Sequence, residues 1–298
     1  MFSGCTSLTL VNGTRNITFS KTVGQSSCEN MFSDCTKLVS TNKFIWSNII
    51  FGGDNAFKCT FKNCKAMTQD INIVVDGLSG VSKSGFESTF FGCSGIKNVS
   101  LTIKYSPAER ACYEMFCGCT SLINKSIVLS ATSVSKSSYE RMFYGCTSLT
   151  TAPELPATTL GIKCYSDMFA ACTSLTKAPT RLPAIKLADY CYQYMFANCI
   201  KLTESPYFVE YDDTNCRGNY SSMFYNCKSL NVIRVGFPYL NDLKTTDPDG
   251  VTIFNNWVKG VASYGNFYYY SNSTWLTITP DFKNESCIPS GWTVVKGN

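Results

Sequence analysis

Apolar and polar positions along this chain recur as a block. A Met-Phe pair, followed three residues on by Cys and six on by Leu, occurs at Met1-Phe2/Cys5/Leu8, Met31-Phe32/Cys35/Leu38, Met115-Phe116/Cys119/Leu122 and Met142-Phe143/Cys146/Leu149. It continues at Met168-Phe169/Cys172/Leu175, Met195-Phe196/Cys199/Leu202 and Met223-Phe224/Cys227/Leu230. Weaker copies stand at Thr60-Phe61/Cys64/Met67 and Thr89-Phe90/Cys93/Ile96, and a degenerate tenth at Ile253-Phe254/Trp257. Nine steps separate Phe2 from Phe254, each of 26 to 30 residues with a mean of 28. A period of that length is the signature of stacked supersecondary units.

With the Phe as zero, an aromatic or Cys falls at −4 (Cys28, Phe57, Phe86, Cys112, Tyr139, Tyr165, Tyr192, Tyr220). The apolar positions −4, −1, 0, +3 and +6 have the one-faced spacing of a short helix, so each unit is expected to contribute a helical turn or two. After the Leu, alternation of period two predicts a strand, as in Ile71-Asn72-Ile73-Val74-Val75, Val99-Ser100-Leu101-Thr102-Ile103 and Ile127 to Leu129. In later units Pro interrupts it, at Ala152-Pro153-Glu154-Leu155-Pro156 and Ala178-Pro179-Thr180-Arg181-Leu182-Pro183. Pro donates no ladder hydrogen bond, so strands there should be short. One strand and one helical piece cannot bury a core alone, whereas a stack can. The expectation is an α/β repeat solenoid, a leucine-rich-repeat-like stack of about ten units with a parallel sheet on one face.

The run Met142-Phe143-Tyr144-Gly145-Cys146-Thr147-Ser148-Leu149-Thr150, with Ala152-Pro153 and Leu155-Pro156 after it, resembles the BspA-type leucine-rich repeat. That consensus has Ala/Met-Phe, Gly-Cys, Ser-Leu-Thr and a downstream Pro, and the likeness extends from Met1 to about Val261. Such repeats occur in bacterial surface proteins, some protozoan proteins and, by resemblance, in proteins of gut bacteriophages. The resemblance implies adhesion to, or recognition of, host proteins, cells or glycans. This chain departs from the pattern in its longer period and in its first four units, which carry loops without the Pro motif, such as Asn12 to Gln25 and Ser47 to Asn55.

From residue 261 the texture changes to Tyr264, the run Phe267-Tyr268-Tyr269-Tyr270, Trp275 and a strand-like Trp292 to Val295. A solenoid needs an atypical terminal unit over its exposed core. The division expected is therefore a solenoid over 1–260 and a C-terminal capping segment over 261–298. The first unit opens on its own motif, so the N-terminal end is expected to dock on another domain or subunit.

Composition narrows the chemistry. The 298 residues are 44% hydrophobic and 16% charged, as in an ordinary folded protein. The net charge of +5 is spread out rather than gathered into the basic stripe that nucleic acid requires. Histidine is absent altogether, which removes the commonest general base and the His-dependent nucleophile and zinc systems. No apolar run reaches the roughly 18 to 20 residues that span a bilayer. The first residues lack the basic and apolar regions of a secretory signal.

Nine of the 17 cysteines occupy the +3 column (Cys5, Cys35, Cys64, Cys93, Cys119, Cys146, Cys172, Cys199, Cys227). On neighbouring helices about 8 to 10 Å apart they would lie beyond disulfide reach, so they read as small buried apolar groups. Cys117-Gly118-Cys119 is too tight for a zinc knuckle. Asp247-Pro248-Asp249-Gly250 lacks the Glu that would complete a calcium loop, and Asp212-Asp213 beside Glu210 reads as a solvated loop. No cofactor or metal is expected. Two features read as binding surface: the aromatic cluster Tyr264, Tyr268, Tyr269, Tyr270 and Trp275, which serves equally as a cap, and the outward strand positions Asn72, Ser100 and Thr102. The function expected is non-enzymatic recognition of a protein or glycan at a cell or virion surface. The alternatives are a bacteriophage fibre or decoration protein and, remotely, a hydrolase using carboxylates.

Overall fold

The computed structural model describes residues 2–9, 22–39, 44–47, 49–75, 77, 80–123, 126–209, 216–236, 246, 253–270 and 284–297. Among these residues the chain winds into a solenoid in which every strand pairing is parallel. The strands are β1 (Thr22–Val23), β2 (Phe44–Ser47), β3 (Ile50–Phe51), β4 (Ile71–Val75), β5 (Val99–Ile103), β6 (Ser126–Leu129) and β7 (Ser133–Val134). They continue as β8 (Thr159–Leu160), β9 (Arg181–Leu182), β10 (Glu204–Phe208), β11 (Val232–Val235), β12 (Asn266–Tyr269) and β13 (Thr293–Lys296). An N-terminal sheet runs β2-β4-β5-β6 and a C-terminal one β9-β10-β11-β12-β13, with the pairs β1-β3 and β7-β8 beside them. On β4, β5 and β6 alternate residues are buried, as the period-two pattern predicts.

The helical turns expected at the Met-Phe motif are corrected: among the described residues there is no helix. The motif is instead a run of tight turns with a four-residue period. Tyr139, Arg141, Phe143 and Gly145 each donate their N–H to a carbonyl of the next rung, those of Cys164, Ser166, Met168 and Ala170, at 2.8 to 3.0 Å. The intervening Glu140, Met142, Tyr144 and Cys146 donate back three residues, to Ser137, Tyr139, Arg141 and Phe143, at 3.1 to 3.3 Å. Every second N–H therefore ties one rung to the next and the others close turns, which satisfies the backbone without a helix. The turns require a left-handed residue every fourth position, here Ser137 (φ 53), Arg141 (φ 56) and Gly145 (φ 69). A right-handed helix cannot pass through such residues. Buried pairs on a four-residue repeat, Ser138-Tyr139 then Met142-Phe143, imitate the 3.6-residue period over so short a stretch.

The core is built of columns. Phenylalanine rings stack from Phe2 through Phe32, Phe61, Phe90, Phe116, Phe143, Phe169 and Phe196 to Phe224, with centroids 5.3 to 5.8 Å apart and planes within 11°. A second column runs Tyr139, Tyr165, Tyr192, Tyr220. It is continued by Phe254, whose ring stacks on Tyr220 at 4.7 Å. Phe254 thus stands at −4, not at zero. Tyr220 N–H and Phe224 N–H donate to the carbonyls of Ile253 and Trp257, which puts Trp257 at −1 and Val258 at zero of the tenth turn. The indole reaches into the phenylalanine column, 5.9 Å from Phe224. The segment expected as a cap carries the same ladder onward: β12 pairs with β11 over four residues and β13 with β12 over four more.

The cysteine column has a polar function within the core. From Cys35 to Cys227 each column thiol donates to the carbonyl of the Phe one rung back, for example Cys64 to Phe32, Cys119 to Phe90 and Cys172 to Phe143, at 3.0 to 3.1 Å. The reason expected for their lack of cross-linking is also corrected. Rungs paired at ladder spacing of about 4.8 Å are closer than packed helices, so proximity does not keep the sulfurs apart. What directs each sulfur is the carbonyl it caps.

Candidate functional site

Two long faces of the stack are open to a partner, and their charges distinguish them. On the turn face the ions serve one another. Glu87 is held by Arg110 at 2.9 and 3.0 Å and by Lys58 at 3.4 Å, Glu114 pairs with Arg141 at 2.8 Å, and the Arg110 guanidinium lies 3.7 Å from the Tyr113 ring. Burial raises the Glu87 carboxyl, but hydrogen bonds from Arg110 and Ser84 and the charges of Arg110 and Lys58 outweigh it, and the net shift is downward. From Lys58 to Arg141 these ions satisfy one another across successive rungs.

The outward face of the C-terminal sheet differs. Its register aligns Arg181, Tyr207, Arg234, Tyr268 and Val295 in one row across β9 to β13. Their neighbours Leu182, Phe208, Val235 and Phe267 are buried below. Arg234 is bound to Glu204 at 2.8 Å and lies 5.4 Å from the centre of the Tyr268 ring. Such half-exposed contacts are each worth about 1 kcal/mol or less.

Local sequence opens a groove beside this row. In β10 two residues lie between Glu204 and Tyr207, whereas one lies between their partners Val232 and Arg234, so Ser205-Pro206 forms a bulge. Pro206 has no N–H, and the Ser205 hydroxyl accepts the Arg234 N–H at 3.1 Å while donating to the Pro206 carbonyl at 2.8 Å. Bulges re-aim side chains in this manner. Across from it, β9 is only two residues long, and its approach, Thr176 to Thr180, carries Pro179 and meets β10 where the Thr180 carbonyl accepts the Tyr207 N–H at 3.1 Å. The result is a groove of about 760 Å³ lined by Thr176, Lys177, Thr180, Glu204, Tyr207, Arg234 and their neighbours, with Tyr270 at one end.

Two glycines make room for its aromatic corner. A Cβ on Gly236 would come within 2.5 Å of the Tyr207 hydroxyl, and one on Gly297 would overlap the Tyr270 ring. The two rings meet edge to face, 5.5 Å apart at 83°. A smaller depression of about 310 Å³, lined by Glu154, Leu155, Pro156, Arg181 and Pro183, adjoins at Thr180. There Glu154 accepts the Thr180 N–H at 3.0 Å and its hydroxyl at 2.7 Å.

The expected site residues are dispersed. Tyr268 and Tyr270 belong to this surface, but alternation turns Tyr269 toward the core, where it is opposite the buried Val235. Tyr264 is 75% exposed and stands outside the groove. Trp275 lies outside the described residues, as do Glu210, Asp212, Asp213, Asp247 and Asp249. Asn72, Ser100 and Thr102 are on the outward face of the other sheet, with Asn72 opposite Ser100 and Thr102 opposite Val74. Cys117 and Cys119 are buried. The repeat residues from Phe32 and Cys35 to Phe224 and Cys227 are in the core columns. Reading the sequence missed Lys177, Glu204, Tyr207 and Arg234.

The chain is thus a parallel repeat solenoid with a lined groove on one sheet face. No family model and no curated protein matches it. Among solved structures, a leucine rich cell surface protein from Faecalibacterium prausnitzii A2-165 is similar at 14% identity, over 93% of this chain and 83% of that one, with a TM-score of 0.36.

Proposed function

We propose that this chain is a non-enzymatic recognition protein that works at a cell or virion surface and binds a protein or glycan partner through the outward face of its C-terminal sheet. The observation that carries the reading is the groove over β9 to β11 with its Tyr207–Tyr270 corner. Rigid tyrosines give large contact area at small entropic cost, and a ladder-bonded floor presents them without reorganisation. The absence of histidine supports binding over acid–base catalysis. The two carboxylates at the groove and its flank, Glu204 and Glu154, are engaged by Arg234 and Thr180. The BspA-like repeat pattern supports the surface setting.

The test is a whole-cell and glycan-array binding screen with the purified chain beside the double variant Tyr207→Ala/Tyr270→Ala. Binding that the variant loses, with circular dichroism and melting temperature retained, is the expected result. Equal binding by both proteins would remove the groove from the function.

A further inference from the structure

We infer that the groove is a subsite for a short oligosaccharide bearing a carboxylate, a ligand class that deepens the reading of this surface as the recognition site and rests on it. A peptide adding itself as a strand needs open backbone groups, and the groove floor has few to give. The Tyr207 N–H is bonded to the Thr180 carbonyl at 3.1 Å, the Val232 N–H to the Thr203 carbonyl at 3.2 Å and the Arg234 N–H to the Ser205 hydroxyl. A peptide helix needs a continuous apolar trough, whereas the apolar part of this lining is interrupted by Lys177, Glu204 and Arg234.

Those groups suit a sugar. The Tyr207 and Tyr270 rings, set at 83°, offer flat apolar faces to the C–H side of pyranose rings and hydroxyls to their edges. Glu204 and Arg234, locked together at 2.8 Å, present an acceptor and a planar donor side by side, the complement of vicinal hydroxyls. Thr203 adds a small hydroxyl along the wall, and those of Thr176 and Thr180, whose protons go to the Thr150 carbonyl and Glu154, retain lone pairs that accept. A volume of about 760 Å³, open along one side, has room for a ligand larger than one sugar ring.

The charge specifies the acid. Glu204 offsets Arg234, and Lys177 on the facing wall makes no ion pair among the described residues, which leaves the lining with one net positive charge. A carboxylate carried on the sugar chain supplies the partner that Lys177 lacks.

The test uses the full chain and a printed set of oligosaccharides containing hexuronate or sialate residues, beside the same oligosaccharides with their carboxyl groups reduced to alcohols, followed by calorimetric titration of any that bind. Expected are binding of at least one carboxylated member, about tenfold weaker binding of its reduced form, and weakening as salt rises. Lys177→Met should lower affinity for the acid by about tenfold and leave the reduced form unchanged, while Tyr207→Ala abolishes both. Gly236→Ala, which displaces Tyr207 without removing it, should weaken both. Tyr264→Ala, outside the groove, should change neither. Equal binding of acid and reduced forms, or indifference to Lys177→Met, overturns the carboxylate assignment. Cell binding that depends on Tyr207 with no oligosaccharide bound overturns the sugar assignment and leaves the recognition reading standing. Oligosaccharide binding that survives Tyr207→Ala overturns the placement of the site.

Discussion

The buried thiols at +3 from Cys64 to Cys227 cost the protein nothing at neutral pH and a great deal above it. Burial pushes the Cys64 and Cys227 thiols up to about 12 from an ordinary 9.0, and Cys93, Cys119, Cys146, Cys172 and Cys199 are raised by the same cause. In the unfolded chain these seven deprotonate near their ordinary value. The stability they leave intact below about pH 9 is therefore lost as pH rises toward the folded values, at about 1.4 kcal/mol per thiol for each pH unit. Seven together should unfold the protein within about one to two pH units above 9. Circular dichroism against pH measures the midpoint, and Ellman's reagent at pH 7.5 should leave these seven thiols unmodified for as long as the fold persists. A second residue works the other way. Asn219 is fully buried and, among the described residues, neither its amide nitrogen nor its oxygen has a partner. Its counterpart one rung back is Cys191, also fully buried. Asn219→Cys should raise stability by about 1 to 3 kcal/mol, read as a higher melting temperature, because an unmet amide is replaced by a group the column already accommodates.

At the scale of the element, the turn motif depends on left-handed residues at −6, −2 and +2. The +2 position is occupied by Gly118, Gly145, Ala171, Asn198 and Asn226, with φ from 59 to 72. Gly145 has room for a Cβ, whose nearest neighbour would be Gly118 at 3.9 Å, so Gly145→Ala isolates the backbone cost. It should destabilise by about 1 to 2 kcal/mol. Ala171→Gly, at φ 60, relieves that strain but frees the unfolded chain, so its expected effect is smaller, a gain of up to about 1 kcal/mol. Denaturant titration of the pair reads both signs. This element also explains what reading the sequence could supply. The rung period and inward columns were legible because Phe, Cys and Leu recur at fixed spacing. The turn was not, because five apolar positions cannot separate a 3.6-residue from a 4-residue period, although Gly, Asn, Asp or Ala at every +2 position was the signal for it. The groove was illegible for a further reason. Its row falls at +12 in Arg181, +11 in Tyr207 and +10 in Arg234, because the β10 bulge and the Pro-rich approach to β9 insert residues. Aligned units therefore do not bring these residues into one column.

For the whole molecule, stacking makes stability a chain of nearest-neighbour couplings, since each rung touches only the next. Phe143 has a ring on both sides, Phe116 at 5.8 Å and Phe169 at 5.6 Å, and is fully buried. Phe2 has one described stacking partner, Phe32 at 5.5 Å, and is 40% exposed. Phe143→Ala should cost about 3 to 5 kcal/mol, and Phe2→Ala about 1 kcal/mol or less. The larger loss falls on the two couplings that join the halves of the stack, so it should change the form of unfolding as well as its midpoint. Three of the four tryptophans, Trp257, Trp275 and Trp292, belong to the C-terminal part of the chain, and Trp46 alone to the N-terminal part. Fluorescence therefore reports mainly one half of the solenoid, whereas far-ultraviolet circular dichroism reports both. In the unaltered protein and in Phe2→Ala the two probes should trace one coincident denaturant transition. In Phe143→Ala they should separate, because a rung that couples weakly to its neighbours lets each half unfold at its own midpoint. Coincident transitions in Phe143→Ala, at whatever midpoint, would mean that the sheet ladders β4-β5-β6 and β9 to β13 carry the coupling and the ring column does not.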